Sequence, residues 1–217
     1  MGFGSGVLVH VLASQLIRES VDSGRLAVTL GSFIAGAAVF SGANWLLSKR
    51  GAKHRNRCGD CVQQPKEDEA PGSGLAIAIG ALLDGIPESL IIGLSVRDGE
   101  VALTVVAVVA GFFISNLPQG LSSASGMKQA GRSKVYVLSV WIAIALASGV
   151  AAAIGYAALG GAGDALQASI KAFAAGALLA MLAETMIPEA FEKAQSFIGL
   201  ITASGFVVAL VLALAVS

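Results

Sequence analysis

Two carboxylates lie four residues apart in the middle of a strongly apolar segment. Asp84 and Glu88 belong to the stretch LLDGIPESL, residues 82–90, and their spacing places both on one face of a helix. A charged residue at the centre of a membrane helix costs about 2.5–3.5 kcal/mol on insertion scales. Two on one face therefore need water, protons or cations, and hard oxygen ligands suit divalent metals. The alternative is a pair of protonated carboxyl groups that hydrogen-bond between helices.

The next apolar segment repeats this pattern without the charges. In FISNLPQGL, residues 112–120, Ser115 and Gln119 take the places of the two acids. Pro87 and Pro118 lie at the same point of the two stretches, and a proline has no backbone N–H to donate. We therefore expect each proline to kink its helix and to free a carbonyl group at the depth of the polar side chains.

The elements that position these residues must be membrane helices. The chain of 217 residues is 55% hydrophobic and only 13% charged, whereas soluble domains carry about 25% charged residues. Its apolar blocks have roughly the 20-residue length of a span, and in lipid a helix satisfies its own backbone. We predict an all-α fold, a polytopic membrane helix bundle with seven spans. The predicted spans are 2–17, 26–47, 74–96, 101–123, 135–159, 168–188 and 197–216.

Basic residues in the short loops predict the orientation of this bundle. The loops after the second, fourth and sixth spans hold Lys49, Arg50, Lys53, Arg55, Arg57, Lys66, Lys128, Arg132, Lys134 and Lys193. The opposite side holds Arg18, Arg25, Arg97 and Lys171. We therefore expect residues 1–217 to form one transmembrane domain in the cell (cytoplasmic or inner) membrane. Its N-terminus and a linker loop, residues 48–73, would be cytoplasmic, and its C-terminus would lie outside.

An internal repeat relates the first and sixth spans. Residues 4–20 align without gaps with residues 174–190, and the two spans run in opposite directions. Identical pairs are Gly6 with Gly176, Leu8 with Leu178, Leu12-Ala13 with Leu182-Ala183, Ile17 with Ile187 and Glu19 with Glu189. Inverted repeats are common in secondary transporters; the other interpretation is chance similarity among helices rich in Ala, Leu and Gly.

This repeat predicts an inverted arrangement of three, two and three helices with the first helix missing. By position, the second span would correspond to the seventh, and the fifth would need a partner before the first. The missing helix is explained either by a protein that has seven spans or by a start codon placed too late.

Together these features resemble the ZIP (zinc/iron-permease-like) family of metal transporters, particularly its short bacterial branch. The resemblance rests on LLDGIPESL, FISNLPQGL, the repeat and AETMIPEAFEKA at residues 183–194. It implies membrane transport of divalent cations between spans 74–96 and 101–123, with no prosthetic cofactor. The implied partners are the metal substrate, the lipid bilayer and a second copy in a homodimer.

Carried over by position, the resemblance implies a metal site made of Asp84, Glu88, Ser115, Asn116 and Gln119. This site departs from the family pattern. Asp84 stands where the family usually has histidine, Gly85 where it has asparagine, Gln119 where it has glutamate, and Ala152 where bacterial members have a bridging glutamate.

These departures change the expected chemistry of the site. The resemblance favours zinc as substrate, whereas oxygen ligands without imidazole favour a harder ion such as manganese or iron. The alternative function is a transport-inactive, ZIP-like membrane protein with a regulatory or interaction role. The sequence contains no HExxH or GxSxG motif, so we expect no enzyme. A formal net charge of zero gives no reason to expect a nucleic acid partner.

Three further parts of the chain carry candidate chemistry. Glu184, followed by the third helix-kink proline, Pro188, is either a ligand along the same path or a carboxylate that hydrogen-bonds to a neighbouring helix. His10 is more readily explained as a packed, hydrogen-bonded histidine than as a ligand. In the linker loop, His54, Cys58 and Cys61 form H-x3-C-x2-C, which is either a regulatory metal site or an inert pair of thiols.

Overall fold

The protein is helical throughout the part that the structure describes. The computed structural model describes residues 2–13, 26–49, 73–97, 102–159 and 163–216, and these ranges contain no β-strand. The helices are α1 (Gly2–Val11), α2 (Leu26–Leu47), α3 (Ser73–Arg97), α4 (Ala102–Gln129), α5 (Lys134–Leu159), α6 (Asp164–Met181), α7 (Ile187–Ala194) and α8 (Ile198–Val216). A π-helical turn, Leu182–Met186, joins α6 to α7. The predicted all-α fold class is confirmed.

Several of these helices have the length and composition of membrane spans. Within the described ranges, five helical segments are long and apolar enough: Leu26–Leu47, Ile79–Arg97, Lys134–Ala157, Asp164–Phe191 and Gln195–Leu214. Large apolar side chains face outward from α2, α5 and α8; Ile34, Leu146 and Leu200 are 65%, 67% and 71% exposed. Contact between so much apolar surface and water is unfavourable, whereas contact with lipid is not. The chain is therefore a membrane protein with several helices able to cross the bilayer.

Close glycine crossings hold the helices together in pairs. The most extensive contacts join α1 with α8, α2 with α6, and α3 with α5. Where α2 crosses α6, a Cβ on Gly36 would lie 1.9 Å from the carbonyl oxygen of Phe173, and a Cβ on Gly176 would lie 1.9 Å from that of Phe33. Only glycine permits an approach this close.

The other two crossings have the same reciprocal geometry. Where α1 crosses α8, a Cβ on Gly6 would lie 1.8 Å from the carbonyl oxygen of Thr202, and a Cβ on Gly205 would lie 2.0 Å from that of Phe3. Where α3 crosses α5, a Cβ on Gly93 would lie 2.1 Å from the carbonyl oxygen of Ala152, and a Cβ on Gly155 would lie 2.5 Å from that of Leu90. At every crossing the contacted carbonyl belongs to the residue three positions before the partner glycine. The backbones of the paired helices are therefore in direct contact at these points.

The interior of the bundle is built around α6. Leu178 and Met181 of α6 pack with Leu8 of α1, Phe40 of α2 and Phe112 of α4, and all of these side chains are buried. This core lies beside α3, whose Ile91 also belongs to it. Helix α6 is thus central, whereas α2, α5 and α8 form much of the outer surface.

A tight turn returns the chain from α4 to α5. Gly131 has a φ of 82°, which favours glycine. Arg132 donates its backbone N–H to the carbonyl of Met127 at 3.0 Å, and Gly131 donates to that of Lys128 at 3.1 Å. This pair of bonds is a Schellman motif that ends α4. The turn lets α5 run back beside α4 while it packs on α3.

The three prolines differ in what happens to the helix around them. Helix α3 continues without interruption through Pro87, and position 118 lies inside α4. Before Pro188 the helix widens into the π-helical turn, in which Ile187 donates its backbone N–H to the carbonyl of Leu182. Turns of this type occur frequently at functional sites. A bend at Pro87 and Pro118 stays a prediction.

Candidate functional site

Asp84 and Glu88 are buried inside the bundle. Their side chains are only 3% and 2% exposed. They lie about one turn apart on α3, on the side that faces α4 and α5. Protein groups rather than lipid therefore surround these two carboxylates.

Asn116 of α4 connects the two central helices. Its side-chain Nδ2 donates a hydrogen bond to Oε2 of Glu88. The other oxygen of Glu88, Oε1, is buried and has no hydrogen-bond partner within the described part of the chain. A buried oxygen in this state is costly unless a proton, a water molecule or a cation reaches it. The amide of Asn116 also carries an oxygen, which is of a type that can accept a hydrogen bond or bind a cation.

Beside this hydrogen bond lies a cavity of about 120 Å³ between α3, α4 and α5, and most of its surface is apolar. Its polar lining residues are Asp84, Asn116, Trp141 and Ser148, and Ala81, Gly85, Gly120 and Ile144 complete the described lining. Glu88 is not among the described lining residues. The two carboxylates of α3 therefore differ: one opens on the cavity, and the other lies behind Asn116.

Glycines make room for this cavity. A Cβ on Gly85 would lie 3.3 Å from Oγ of Ser148, and a Cβ on Gly120 would lie 3.6 Å from the six-membered ring of Trp141. Gly85 is also the position at which the ZIP pattern has asparagine. The missing side chain lets the hydroxyl group of Ser148 on α5 approach the backbone of α3 closely.

Two more of the predicted ligands belong to α4. Positions 115 and 119 lie on α4 on either side of Asn116, but the side chains of Ser115 and Gln119, like that of Pro118, lie outside the described residues. The loop candidates His54, Cys58 and Cys61 also lie outside the described residues. Ligand roles for all of these residues stay predictions.

The described side chains do not form a dense cluster of charged or soft ligands. No group of three or more His, Cys, Asp or Glu side chains able to hold a metal occurs in the ranges that the structure describes. A cation in the cavity would meet the carboxylate of Asp84, the amide oxygen of Asn116 and the hydroxyl of Ser148. This donor set is made of oxygen, which suits hard divalent cations.

Glu184 lies in a different polar cluster. It belongs to the π-helical turn and accepts hydrogen bonds from Oγ of Ser41 and, at 2.8 Å, from Nδ2 of Asn44. Both donors are on α2, and Glu184 does not appear among the described residues that line the cavity. The contacts agree with the interpretation of Glu184 as a carboxylate bound to a neighbouring helix. Its role as a metal ligand stays a prediction.

His10 is packed in the bundle. The imidazole is 7% exposed and meets the ring of Phe206 on α8 edge to face, with 5.3 Å between ring centroids. This geometry agrees with a packed histidine, the role that the sequence favoured.

Sequence reasoning missed the contribution of α5 to the cavity. Ser148 and Trp141 line it, whereas the ZIP resemblance pointed on this helix only to Ala152, whose carbonyl lies at the crossing with Gly93. A seryl residue one turn before Ala152 was a usable signal, because the two positions share a helix face. Ser41 and Asn44, three residues apart on α2, were likewise missed as partners of Glu184.

No family model, no curated protein and no solved structure matches this chain in comparisons with known proteins.

Proposed function

We propose that this protein transports divalent cations across a membrane and that the cavity between α3, α4 and α5 is its binding site. The observation that carries the proposal is Asp84, a buried carboxylate that borders a cavity inside a membrane bundle. Ionisable residues in such places are costly and generally mark the path of an ion or substrate. The carboxylate of Glu88 lies one turn from Asp84 on α3. One of its oxygens accepts a hydrogen bond from Asn116, and the other has no described partner.

The pairing of helices supports the inverted repeat that underlies the proposal. If α1 corresponds to α6 and α2 corresponds to α8, the contact of α1 with α8 has its counterpart in the contact of α6 with α2. Both contacts are present, and both use reciprocal glycines. Leu12 and Ala13 are also π-helical, as are the aligned Leu182 and Ala183. We therefore propose seven spans in an inverted arrangement, as in the ZIP-like interpretation.

Cation–aromatic pairs at the helix ends support the proposal that these helices cross a bilayer. The ammonium of Lys49 lies 3.5 Å from the ring centroid of Trp45 at the end of α2, and the Arg132 guanidinium lies 5.4 Å from that of Tyr136 after α4. On the opposite side, the Arg97 guanidinium lies 5.5 Å from the ring centroid of Tyr156. Aromatic and basic residues are enriched at both membrane–water interfaces, so the proposed orientation rests on the basic loops alone.

Cation uptake into proteoliposomes tests the proposed transport. We expect the double variant Asp84→Asn, Glu88→Gln to lose uptake of manganese and zinc by at least roughly ten-fold, since removing a charged ligand costs upward of about 1.4 kcal/mol. Asp164→Asn is the matched control, because Asp164 is an exposed carboxylate at the start of α6. Equal uptake by the wild type and the double variant would show that cation transport does not require the carboxylates of α3.

A transport-inactive protein with a regulatory or interaction role is the second candidate. It is favoured by the scarcity of acidic ligands in the described site and by the hydrogen bond that occupies Glu88. The same liposomes separate the two functions. A protein that binds manganese at Asp84 but moves none across the membrane would support the second.

A further inference from the structure

Asp84 shares its cavity with an aromatic ring and with apolar walls. The ring is that of Trp141 on α5, the buried Ile144 lies three residues further along the same helix, and most of the cavity surface is apolar. A divalent cation seeks oxygen ligands and gains nothing from such walls. An ion that carries both a positive charge and apolar surface would gain from the carboxylate and from the walls together.

One face of the Trp141 ring is open to the cavity because position 120 is a glycine. A Cβ on Gly120 would lie 3.6 Å from Cη2 and 3.8 and 3.9 Å from Cζ3 and Cζ2, the two atoms next to Cη2 in the six-membered ring. Such nearly equal distances describe a point above the ring plane, because an approach along the ring edge would leave the two neighbours clearly farther away. Gly120 therefore leaves a methyl-sized space over the ring, and both residues line the cavity. The face of tryptophan is the best aromatic partner for a cation.

The volume and charge of the cavity define the size and charge of such an ion. A cavity of about 150 Å³ holds benzene, so one of about 120 Å³ holds roughly five non-hydrogen atoms. Tetramethylammonium has this number of atoms. Asp84 is the one acidic residue in the described lining, and its single negative charge matches a single positive one. The methyl groups around the nitrogen gain from leaving water for apolar walls.

We propose that the cavity also binds small alkylammonium ions, with tetramethylammonium near the upper limit of size. Asp84 balances the charge, the open face of the Trp141 ring contacts the methyl groups, and Ile144 supplies apolar wall. The inference goes beyond the proposed function, because it adds a monovalent and partly apolar class of cation to the divalent one. The two classes use the same carboxylate and therefore compete for it.

Saturation-transfer NMR detects this binding through the methyl protons of the ligand. The full-length protein is placed in nanodiscs of chain-deuterated phosphatidylethanolamine and phosphatidylglycerol, which carry no quaternary ammonium, and empty nanodiscs are the reference. Tetramethylammonium should bind at least roughly ten-fold more tightly than tert-butanol, a neutral molecule with the same number of non-hydrogen atoms. Tetraethylammonium is larger than the cavity and should bind at least about ten-fold more weakly than tetramethylammonium.

Substitutions at the carboxylate and at the ring locate the ligand. Asp84→Asn should weaken tetramethylammonium binding by at least roughly ten-fold, and Trp141→Leu should weaken it by about ten-fold. Gly120→Ala should weaken it about five-fold by covering the ring face; its Cβ makes only ordinary contacts, so the fold is preserved even where Trp141→Leu does not fold. Gly149→Ala is the matched control and should change nothing, because Gly149 is exposed on α5 and a Cβ there has no described atom within 4 Å.

The outcomes separate this inference from the proposed function. If tert-butanol or tetraethylammonium binds as tightly as tetramethylammonium, or if both Asp84→Asn and Gly120→Ala leave the affinity unchanged, the alkylammonium inference is overturned and divalent-cation transport stays in place. Mn²⁺ uptake into liposomes that continues at its full rate in saturating tetramethylammonium has the same meaning. Tetramethylammonium binding that depends on Asp84 and Gly120, together with no uptake of Mn²⁺ or Zn²⁺, overturns the proposed divalent transport and supports the inference.

Discussion

Replacement of Gly93 by alanine tests whether the crossing of α3 and α5 sets the geometry of the cavity. A Cβ at this position would lie 2.1 Å from the carbonyl oxygen of Ala152, and ordinary contact begins near 3.4 Å. The neighbouring atom belongs to a backbone, so it cannot rotate away as the end of a side chain would. The two helices must therefore separate by about 1.3 Å at this point.

The energetic cost follows from two opposing effects. Overpacking a close contact typically costs about 1–3 kcal/mol, and a rigid backbone contact belongs at the upper end of this range. Alanine recovers about 1 kcal/mol because it is the better helix former. The net loss in the free energy of unfolding is then about 2 kcal/mol, or roughly 4–8 °C in thermal midpoint for a chain of this size. Because Ser148 lies one turn before Ala152, the same movement should carry it away from Asp84 and weaken Mn²⁺ binding.

Thermal unfolding of the purified protein in detergent provides the assay, with Gly149→Ala as control. Gly149 is exposed on α5, and a Cβ there has no described atom within 4 Å. Gly149→Ala should be neutral or stabilise the protein by up to about 1 kcal/mol. Gly93→Ala should therefore lower the midpoint, and Gly149→Ala should leave it unchanged or raise it. A Gly93→Ala protein as stable as the wild type, with unchanged Mn²⁺ affinity, would refute the argument that this crossing is fixed by backbone contact.

Three further outcomes are expected. Asn116→Ala should lower the free energy of unfolding by about 1–3 kcal/mol, since it removes the buried donor to Oε2 of Glu88. An unchanged thermal midpoint would argue against this hydrogen bond. Ser41→Ala combined with Asn44→Ala should cost only about 1 kcal/mol, because the Glu184 bonds are exposed, and should leave Mn²⁺ uptake into proteoliposomes unaltered. Mn²⁺ at 100 times its dissociation constant should stabilise the protein by about 2.7 kcal/mol relative to chelated samples, and a midpoint that is insensitive to chelator would contradict specific binding.

The coarse architecture could be read from the sequence because it depends on composition and length. Apolar blocks of span length predict membrane helices, and five of the seven predicted spans coincide with helices of membrane length in the described part of the chain. Burial of Asp84 and Glu88 was expected for a similar reason, since charged groups avoid lipid. These inferences use only local properties of each segment, and none requires knowing how two helices cross.

The different environments of Asp84 and Glu88 depend on helix crossings, which the sequence does not reveal. The chain has 27 glycines, and nothing local distinguishes Gly93, which meets a carbonyl oxygen, from Gly149, which faces open space. The contribution of Ser148 to the cavity follows from the crossing at Gly93 and Gly155. The π-helical turn at Leu182–Met186 was equally hidden, because Pro188 predicts a disturbance without specifying its form.

The two carboxylates of α3 share one helix face but not one environment, and this difference bears on how a cation would travel. On the proposed path an ion first meets Asp84, which borders the cavity. Glu88 is reached only when Nδ2 of Asn116 releases it, since that hydrogen bond lies between them. Asn116 also lines the cavity, so a rotation of its amide away from Glu88 would open the way from Asp84 to that carboxylate. Transport requires a site that binds firmly enough to admit an ion and loosely enough to release it. An arrangement that offers one carboxylate at a time meets both requirements, whereas a cavity open to both would hold a divalent cation more tightly and release it more slowly.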